Sequence, residues 1–129
     1  MDGSEPNGKR ILVVDDDEQQ IRLFSIFLEL SGSPDVSLAK AMTIDEAIEQ
    51  IQANMPAIVF LDNRMPPHSD FRQSLDLIRE AGFAGPVIIH SASVDEPVLH
   101  NATSFGVASV VDKRVIRSNT LKALIETYA

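Results

Sequence analysis

The chain has no cysteine and no tryptophan, and it is poor in positive charge: 11 Lys and Arg stand against 19 Asp and Glu in 129 residues, a formal net charge of -8. Without cysteine there is neither a disulfide framework nor a thiolate metal site, and a reducing compartment is allowed. Scarce, unclustered basic residues argue against direct binding of DNA or RNA, which needs Lys and Arg to meet phosphates. No apolar run reaches the length of a membrane span, and the opening "MDGSEPNGKR" lacks the basic and apolar stretches of a signal peptide. A cytoplasmic domain without membrane contact is expected. At 44% hydrophobic residues the chain is the size of one ordinary domain with one filled core.

Short β-rich apolar runs alternate with helical patterns along this chain. Residues 11–14 form the first run, and a helix follows over about 18–30, apolar at Ile21, Phe24 and Leu28 and closed by Ser31-Gly32. Residues 36–39 read as a second strand. In "TIDEAIEQIQANM", Thr43 and Glu46 have capping-box spacing, and Ile44, Ala47, Ile48, Ile51 and Met55 share a stripe that Pro56 ends. Residues 58–61 make a third strand running into Asp62. The loop "RMPPHSD" then leads to a helix over 71–81. After Gly82 and Gly85-Pro86 comes a fourth strand, 87–90. A helix is expected from Pro97 to Phe105, stopped by Gly106, then a fifth strand over 107–111. Ser118 is placed to cap a last helix carrying Leu121, Leu124, Ile125 and Tyr128.

Strands apolar on both faces, each followed by a helix, predict a doubly wound parallel sheet covered on both sides. Residues 1–8 look like a flexible tail and residues 9–129 like the single domain.

The polar residues that interrupt the apolar runs fall at strand ends. Asp15, Asp16 and Asp17 follow the first strand in "VVDDDE", Asp62 the third, Ser91 the fourth and Lys113 the fifth. Ligands of open α/β sheets bind outside the carboxyl ends of the strands. Were the first and third strands neighbours, Asp15, Asp16 and Asp62 would form one self-repelling mouth that needs a neutralising cation. Oxygen donors with no His or Cys expected nearby point to Mg²⁺ and not zinc, and Mg²⁺ leaves positions free for phosphate oxygens. Ser91 offers a hydroxyl and Lys113 an ammonium for those oxygens, while Asp62 is a potential nucleophile. Each residue also has a plainer use. Asp17 reads as the cap of the helix after it, His90 as a packed strand residue, and His68 and His100 as surface residues.

The segments "ILVVDDDE", "IVFLDNRMP", "VIIHSAS" and "VVDK", in this order, make the chain resemble the receiver domain of bacterial two-component response regulators over nearly its whole length. The resemblance implies a flavodoxin-like five-stranded sheet of order 2-1-3-4-5. It implies Asp62 as phosphoacceptor, Asp15, Asp16, Asp62 and the main-chain carbonyl of Arg64 as Mg²⁺ ligands, Ser91 as switch residue, and Lys113 as the lysine that contacts the phosphoryl group. It also implies a histidine kinase or histidine phosphotransfer protein as donor, with catalysis limited to the domain's own phosphorylation and dephosphorylation. The output would be changed binding to a downstream protein, and homodimers would form through the fourth helix, fifth strand and fifth helix.

The sequence departs from the family pattern in three places. Val110 stands where an aromatic is usual, Arg114 replaces the proline after the lysine, and Asp70 stands where the loop usually has glycine. A trans Lys113–Arg114 bond with a differently shaped loop, and an altered backbone at Asp70, are expected. The positions associated with phosphoryl lifetime hold Arg64 and Ser93.

A stand-alone response regulator is the leading expectation, because the sequence ends with the fifth helix and starts with Met and a tail. A phosphorelay intermediate and a receiver cut from a longer chain remain open. The alternative is a pseudo-receiver, an interaction module without phosphotransfer, favoured by Val110 and Arg114. A phosphatase using Asp15 and Asp17 would need later acid motifs and a cap. A flavodoxin-type module would need a phosphate-cradling turn where this chain is acidic.

Overall fold

The computed structural model describes residues 8–33 and 35–129, so the tail expected over 1–8 lies, but for Gly8, outside the described residues. The elements alternate as β1 (Lys9–Val14), α1 (Glu18–Leu30), β2 (Val36–Ala41), α2 (Ile44–Ala53), β3 (Ile58–Asp62), α3 (Phe71–Glu80), β4 (Val87–Ser91), α4 (Pro97–His100), β5 (Ser109–Asp112) and α5 (Ser118–Tyr128). Single 3₁₀ turns, Ala102–Phe105 and Lys113–Val115, flank β5. The strands form one parallel sheet of order β2-β1-β3-β4-β5, the doubly wound topology expected.

Side-chain alternation divides the core in two. Leu12, Val14, Val59, Leu61, Val87 and Ile89 face α2 and α3, packing on Ile44, Ala47, Ile51, Leu75 and Ile78. Ile11, Val13, Ile58, Phe60 and Ile88 face the other way, onto Ile21, Phe24 and Leu28 of α1 and Leu121 and Ile125 of α5. Each strand therefore fills both layers, which is why the runs read as continuous apolar segments.

The helix starts follow local chemistry. Asp17 caps α1, its carboxylate accepting from the Gln19 N–H at 3.0 Å. Thr43 caps α2 through the Glu46 N–H at 3.0 Å, and Glu46 reaches back to accept from the Met42 N–H at 2.8 Å. Asp70 does not distort the backbone as expected: it lies in ordinary extended conformation and caps α3, accepting from the Arg72 N–H at 3.0 Å.

Several boundaries differ from expectation. The helix expected over 97–105 breaks at Asn101 (φ -117°, ψ 22°), leaving one α turn and a 3₁₀ turn that Gly106 closes at φ 95°. Ser104 Oγ donates to the Asn101 carbonyl at 2.6 Å, the kind of local bond that competes with a helix ladder. The fifth strand begins at Ser109, not Val107: Val107 is buried in the core, and Ala108 N–H bonds the Val87 carbonyl at 2.9 Å ahead of the ladder. Ser118 is the first residue of α5, not its cap; Arg117 holds that position without a side-chain cap bond. Met55 leaves the core stripe because Asn54 turns extended at φ -161° and ends α2, so Met55 is 52% exposed. Among the described residues no helix is long and apolar enough to cross a membrane.

Candidate functional site

The parallel register brings the strand-end acids together. Val14 pairs with Leu61, so the next residues, Asp15 and Asp62, emerge side by side. Asp62 in turn pairs with His90, and Ser91 with Asp112. By the two-residue alternation, Asp15 continues the face of Val13, Asp62 that of Phe60 and His90 that of Ile88, all on the α1/α5 side. One ligand atom from each of Asp15, Asp62 and His90 lies within 4.8 Å of the other two.

Lys113 stands against both acids. Its Nζ is 3.0 Å from Asp15 Oδ2 and 3.3 Å from Asp62 Oδ1. Asp15 is fully buried, and its Oδ2 has no well-aligned hydrogen bond despite the ammonium beside it; its other oxygen accepts from the Asp17 N–H at 2.9 Å. Burial pushes the Asp15 carboxyl up against the pull of the Asp17 N–H and Lys113. Burial, then the Asp15 charge, pushes Asp62 up to about 6, with Lys113 opposing. For Lys113 itself burial acts downward, but Asp62 and Asp15 outweigh it and hold the ammonium above its usual value. The inner site thus sets two carboxyls, both raised by burial, against one cation.

Asp16 occupies a different place. It is exposed and lines, with Asp62, Arg64, Ser91, Ser93, Glu96 and Lys113, a cleft of about 410 Å³ at the strand ends. The Arg64 N–H reaches Asp62 Oδ1 at 3.4 Å. Oxygen donors at the cleft and an excess of acidic over basic side chains there fit a hard divalent cation. Asp16 and Asp62 offer carboxylates toward the open side, because the ammonium already fills the space between Asp15 and Asp62.

His90 is a packed strand residue, as expected, yet its surroundings are polar on one side. The imidazole is fully buried, stacked edge-on to Phe24 with ring centroids 5.2 Å apart. Its Nδ1 is 3.6 Å from Asp15 Oδ2, too far for a hydrogen bond, and neither ring nitrogen has a well-aligned partner. Burial, then Lys113, lowers it to about 3 against weaker pulls from the main chain of Val14 and Phe60, so the ring is neutral. His68 is half-buried, with Nδ1 2.6 Å from Gln73 Oε1, and His100 is exposed.

Ser91 is buried at the cleft wall, and its hydroxyl donates to the Ser93 carbonyl at 2.9 Å. Contact with another oxygen would require that bond to break. The Lys113–Arg114 bond is trans; among the described residues Pro66–Pro67 is the one cis bond. Asp112 shapes the turn after Lys113 by accepting from the Arg114 N–H at 2.8 Å and pairing with its guanidinium at 2.6 Å. That side-chain bond holds the Asp112 carboxyl down at about 2. Val110 packs, partly buried, on the α2/α3 core layer.

Two contributors were not apparent from the sequence. Buried Asn63 accepts the Phe71 N–H at 3.1 Å and so ties the end of β3 to the start of α3. Glu96 pairs with Arg64 at 2.9 Å across the cleft. Asn63 follows Asp62 directly, the one signal available; Glu96 lies too far along the chain to be paired by spacing.

The chain matches the family model described as the response regulator receiver domain over residues 11–126. No curated protein matches the sequence significantly. Its fold is similar to the signal receiver domain of the NarL response regulator from Mycobacterium tuberculosis, with a TM-score of 0.77, 30% identity, and 95% of this chain and 97% of that one covered. A two-component response regulator from Clostridium difficile gives 0.78 at 22% identity, covering 92% and 93% of the two chains. The receiver domain of a Francisella response regulator gives 0.75 at 22% identity over 93% and 95%.

Proposed function

The chain belongs to the response regulator receiver domain family, and from that membership we propose that it is a single receiver domain over residues 9–129 that accepts a phosphoryl group on Asp62. The donor is the phosphoimidazole of a histidine kinase or histidine phosphotransfer protein. A carboxylate oxygen of Asp62 attacks phosphorus, the P–N bond breaks, and its electron pair returns to the donor imidazole, which takes up a proton. The observation that carries this reading is the Asp62 carboxylate itself. It sits at the end of β3, open to the cleft and 3.3 Å from the Lys113 ammonium.

Lys113 orients Asp62 and offsets the charge that arrives on the phosphoryl oxygens. Ser91 exchanges its bond to the Ser93 carbonyl for one to a phosphoryl oxygen, which makes it the moving part of the site. Asp15, Asp16, Asp62 and the Arg64 main-chain carbonyl would hold Mg²⁺, which would supply charge neutralisation for the transferred group. Phosphorylation then shifts a two-state equilibrium and changes affinity for a downstream protein. Self-association, if used, would involve α4, β5 and α5, beside which Phe105 and Val115 are 49% and 57% exposed.

A pseudo-receiver that binds partners without phosphotransfer is the second reading, favoured by Val110 and by the Asp112–Arg114 clamp after Lys113. Intact mass after incubation with acetyl phosphate and Mg²⁺ separates the two. A Mg²⁺-dependent gain of one phosphoryl group, absent in Asp62→Asn, supports the receiver; no gain, together with no beryllofluoride binding, supports the pseudo-receiver.

A further inference from the structure

The Arg64–Glu96 ion pair joins the segment after β3 to the start of α4 at the cleft. Arg64 lies two residues past Asp62, and its side chain is 66% exposed; Glu96, 23% exposed, is the residue before the single α turn of α4. Glu96 makes no side-chain bond to the N–H groups of that turn, and its carboxylate is turned instead to Arg64. Both side chains line the cleft that holds Asp62, Ser91 and Lys113.

The guanidinium has more than one acceptor within its cleft. In the unphosphorylated site Lys113 stands 3.3 Å from Asp62, and of the cleft's carboxylates it is Glu96 that pairs with Arg64, at 2.9 Å. A phosphoryl group on Asp62 would alter that balance. It brings roughly 1.5 to 2 negative charges and three acceptor oxygens, against the single charge of a carboxylate, and guanidinium forks suit phosphate geometry.

Resting on the receiver reading above, we propose that Arg64 and Glu96 form a competitive latch. Glu96 holds the guanidinium in the unphosphorylated site, a phosphoryl group on Asp62 takes it over, and the transfer releases the start of α4. Arg64 is then a positioning residue for the phosphoryl group and Glu96 its competitor, a link from site to α4 that needs no aromatic at Val110. An exposed ion pair shifts such a competition only about 1.5- to 5-fold, which sets the size of the effect to look for.

The test uses the whole chain with Mg²⁺ and beryllofluoride as the phosphoryl mimic, comparing wild type, Glu96→Gln, Arg64→Gln and the double variant. Both side chains are at the surface, and neither substitution alters a main-chain group. Glu96→Gln is expected to tighten beryllofluoride binding about 1.5- to 5-fold, and Arg64→Gln to weaken it. In the Arg64→Gln background, Glu96→Gln should change nothing. The Arg64 Nε–H resonance should move on beryllofluoride addition, and in Glu96→Gln it should be displaced before any is added.

Equal tightening by Glu96→Gln with and without Arg64 would overturn the latch, since the effect would be the general field of one lost charge. Unchanged affinity in Glu96→Gln, or an Arg64 resonance indifferent to beryllofluoride, would overturn it as well. A wild type that binds beryllofluoride and shows no coupling removes the latch alone. A wild type that neither binds it nor accepts a phosphoryl group removes the receiver reading and the latch with it.

Discussion

Replacing His90 by leucine should stabilise this protein, and increasingly so as the pH falls. The imidazole is fully buried against Phe24, and neither nitrogen has a well-aligned partner. Leaving a buried polar group unsatisfied costs about 1–3 kcal/mol, so a leucine that fits the space should recover about 1 kcal/mol or more at pH 7.5. The second part comes from protons. Burial holds the folded-state value at about 3, against 6.5 for the unfolded chain. Below pH 6.5 the unfolded chain therefore binds a proton that the folded one refuses. Stability present above pH 6.5 is lost as pH falls toward 3, at about 1.4 kcal/mol per pH unit. At pH 5 the wild type should have lost about 2 kcal/mol through this one residue, a loss His90→Leu does not share. Urea unfolding of both proteins between pH 5 and 7.5 measures it. Other titrating groups are common to the two, so the difference between the curves isolates His90. Curves that run parallel would refute the reasoning, because the imidazole would then be solvated or paired in the folded state.

Other consequences are as direct. Lys113→Met removes the cation between Asp15 and Asp62 and should cost about 3 kcal/mol at neutral pH in denaturant unfolding. Asp62 already sits at about 6 and would rise further. Since a raised carboxyl favours the folded state as it takes up a proton, the variant should regain stability as pH falls through that value; a deficit constant with pH would argue against the pair. Asp70→Ala removes the cap of α3 and should cost about 1 kcal/mol, measured by thermal unfolding, whereas Asp70→Asn should retain most of it. Mg²⁺ at ten times its Kd should stabilise the wild type by about 1.4 kcal/mol, an effect reversed by chelation and lost in Asp16→Asn.

The layering of this fold was open to reading because the apolar runs and helical stripes have different periods. Ile11 to Val14 could only be a strand buried on both faces, and the stripe of Ile21, Phe24 and Leu28 only a helix covering one of them. The strand ends were legible for the same reason: an Asp after four apolar residues marks where the sheet stops. Pairing was not. That His90 meets Asp15 depends on the β3–β4 register, which sets Asp62 beside His90, and on the β1–β3 register, which sets Asp15 beside Asp62. Neither can be counted along the chain.

The break in the fourth helix was obscured by Pro97 and Gly106, which bracket a helix-sized segment. The break falls at Asn101, where the Ser104 hydroxyl bonds the Asn101 carbonyl, a local bond of the kind that competes with a helix ladder. Charge placement was likewise only half legible. Asp17 was expected to cap α1 and does, but Asp15 and Asp16, expected together at one mouth with Asp62, are separated by burial. Asp15 lies inside against Lys113, Asp16 outside at the cleft, and Asp17 caps α1. The same triplet thus serves three environments because a turn from strand to helix points successive side chains in different directions.

Asp62, among these neighbouring acids, is proposed as the nucleophile, and chemical trapping can tell them apart. Treating the protein with acetyl phosphate and Mg²⁺, then with borohydride, converts an aspartyl phosphate to homoserine, which peptide mass spectrometry assigns to a position. Homoserine is expected at residue 62, dependent on both donor and Mg²⁺. Homoserine at Asp15 or Asp16 instead, or at no position in protein that still binds Mg²⁺, would contradict it.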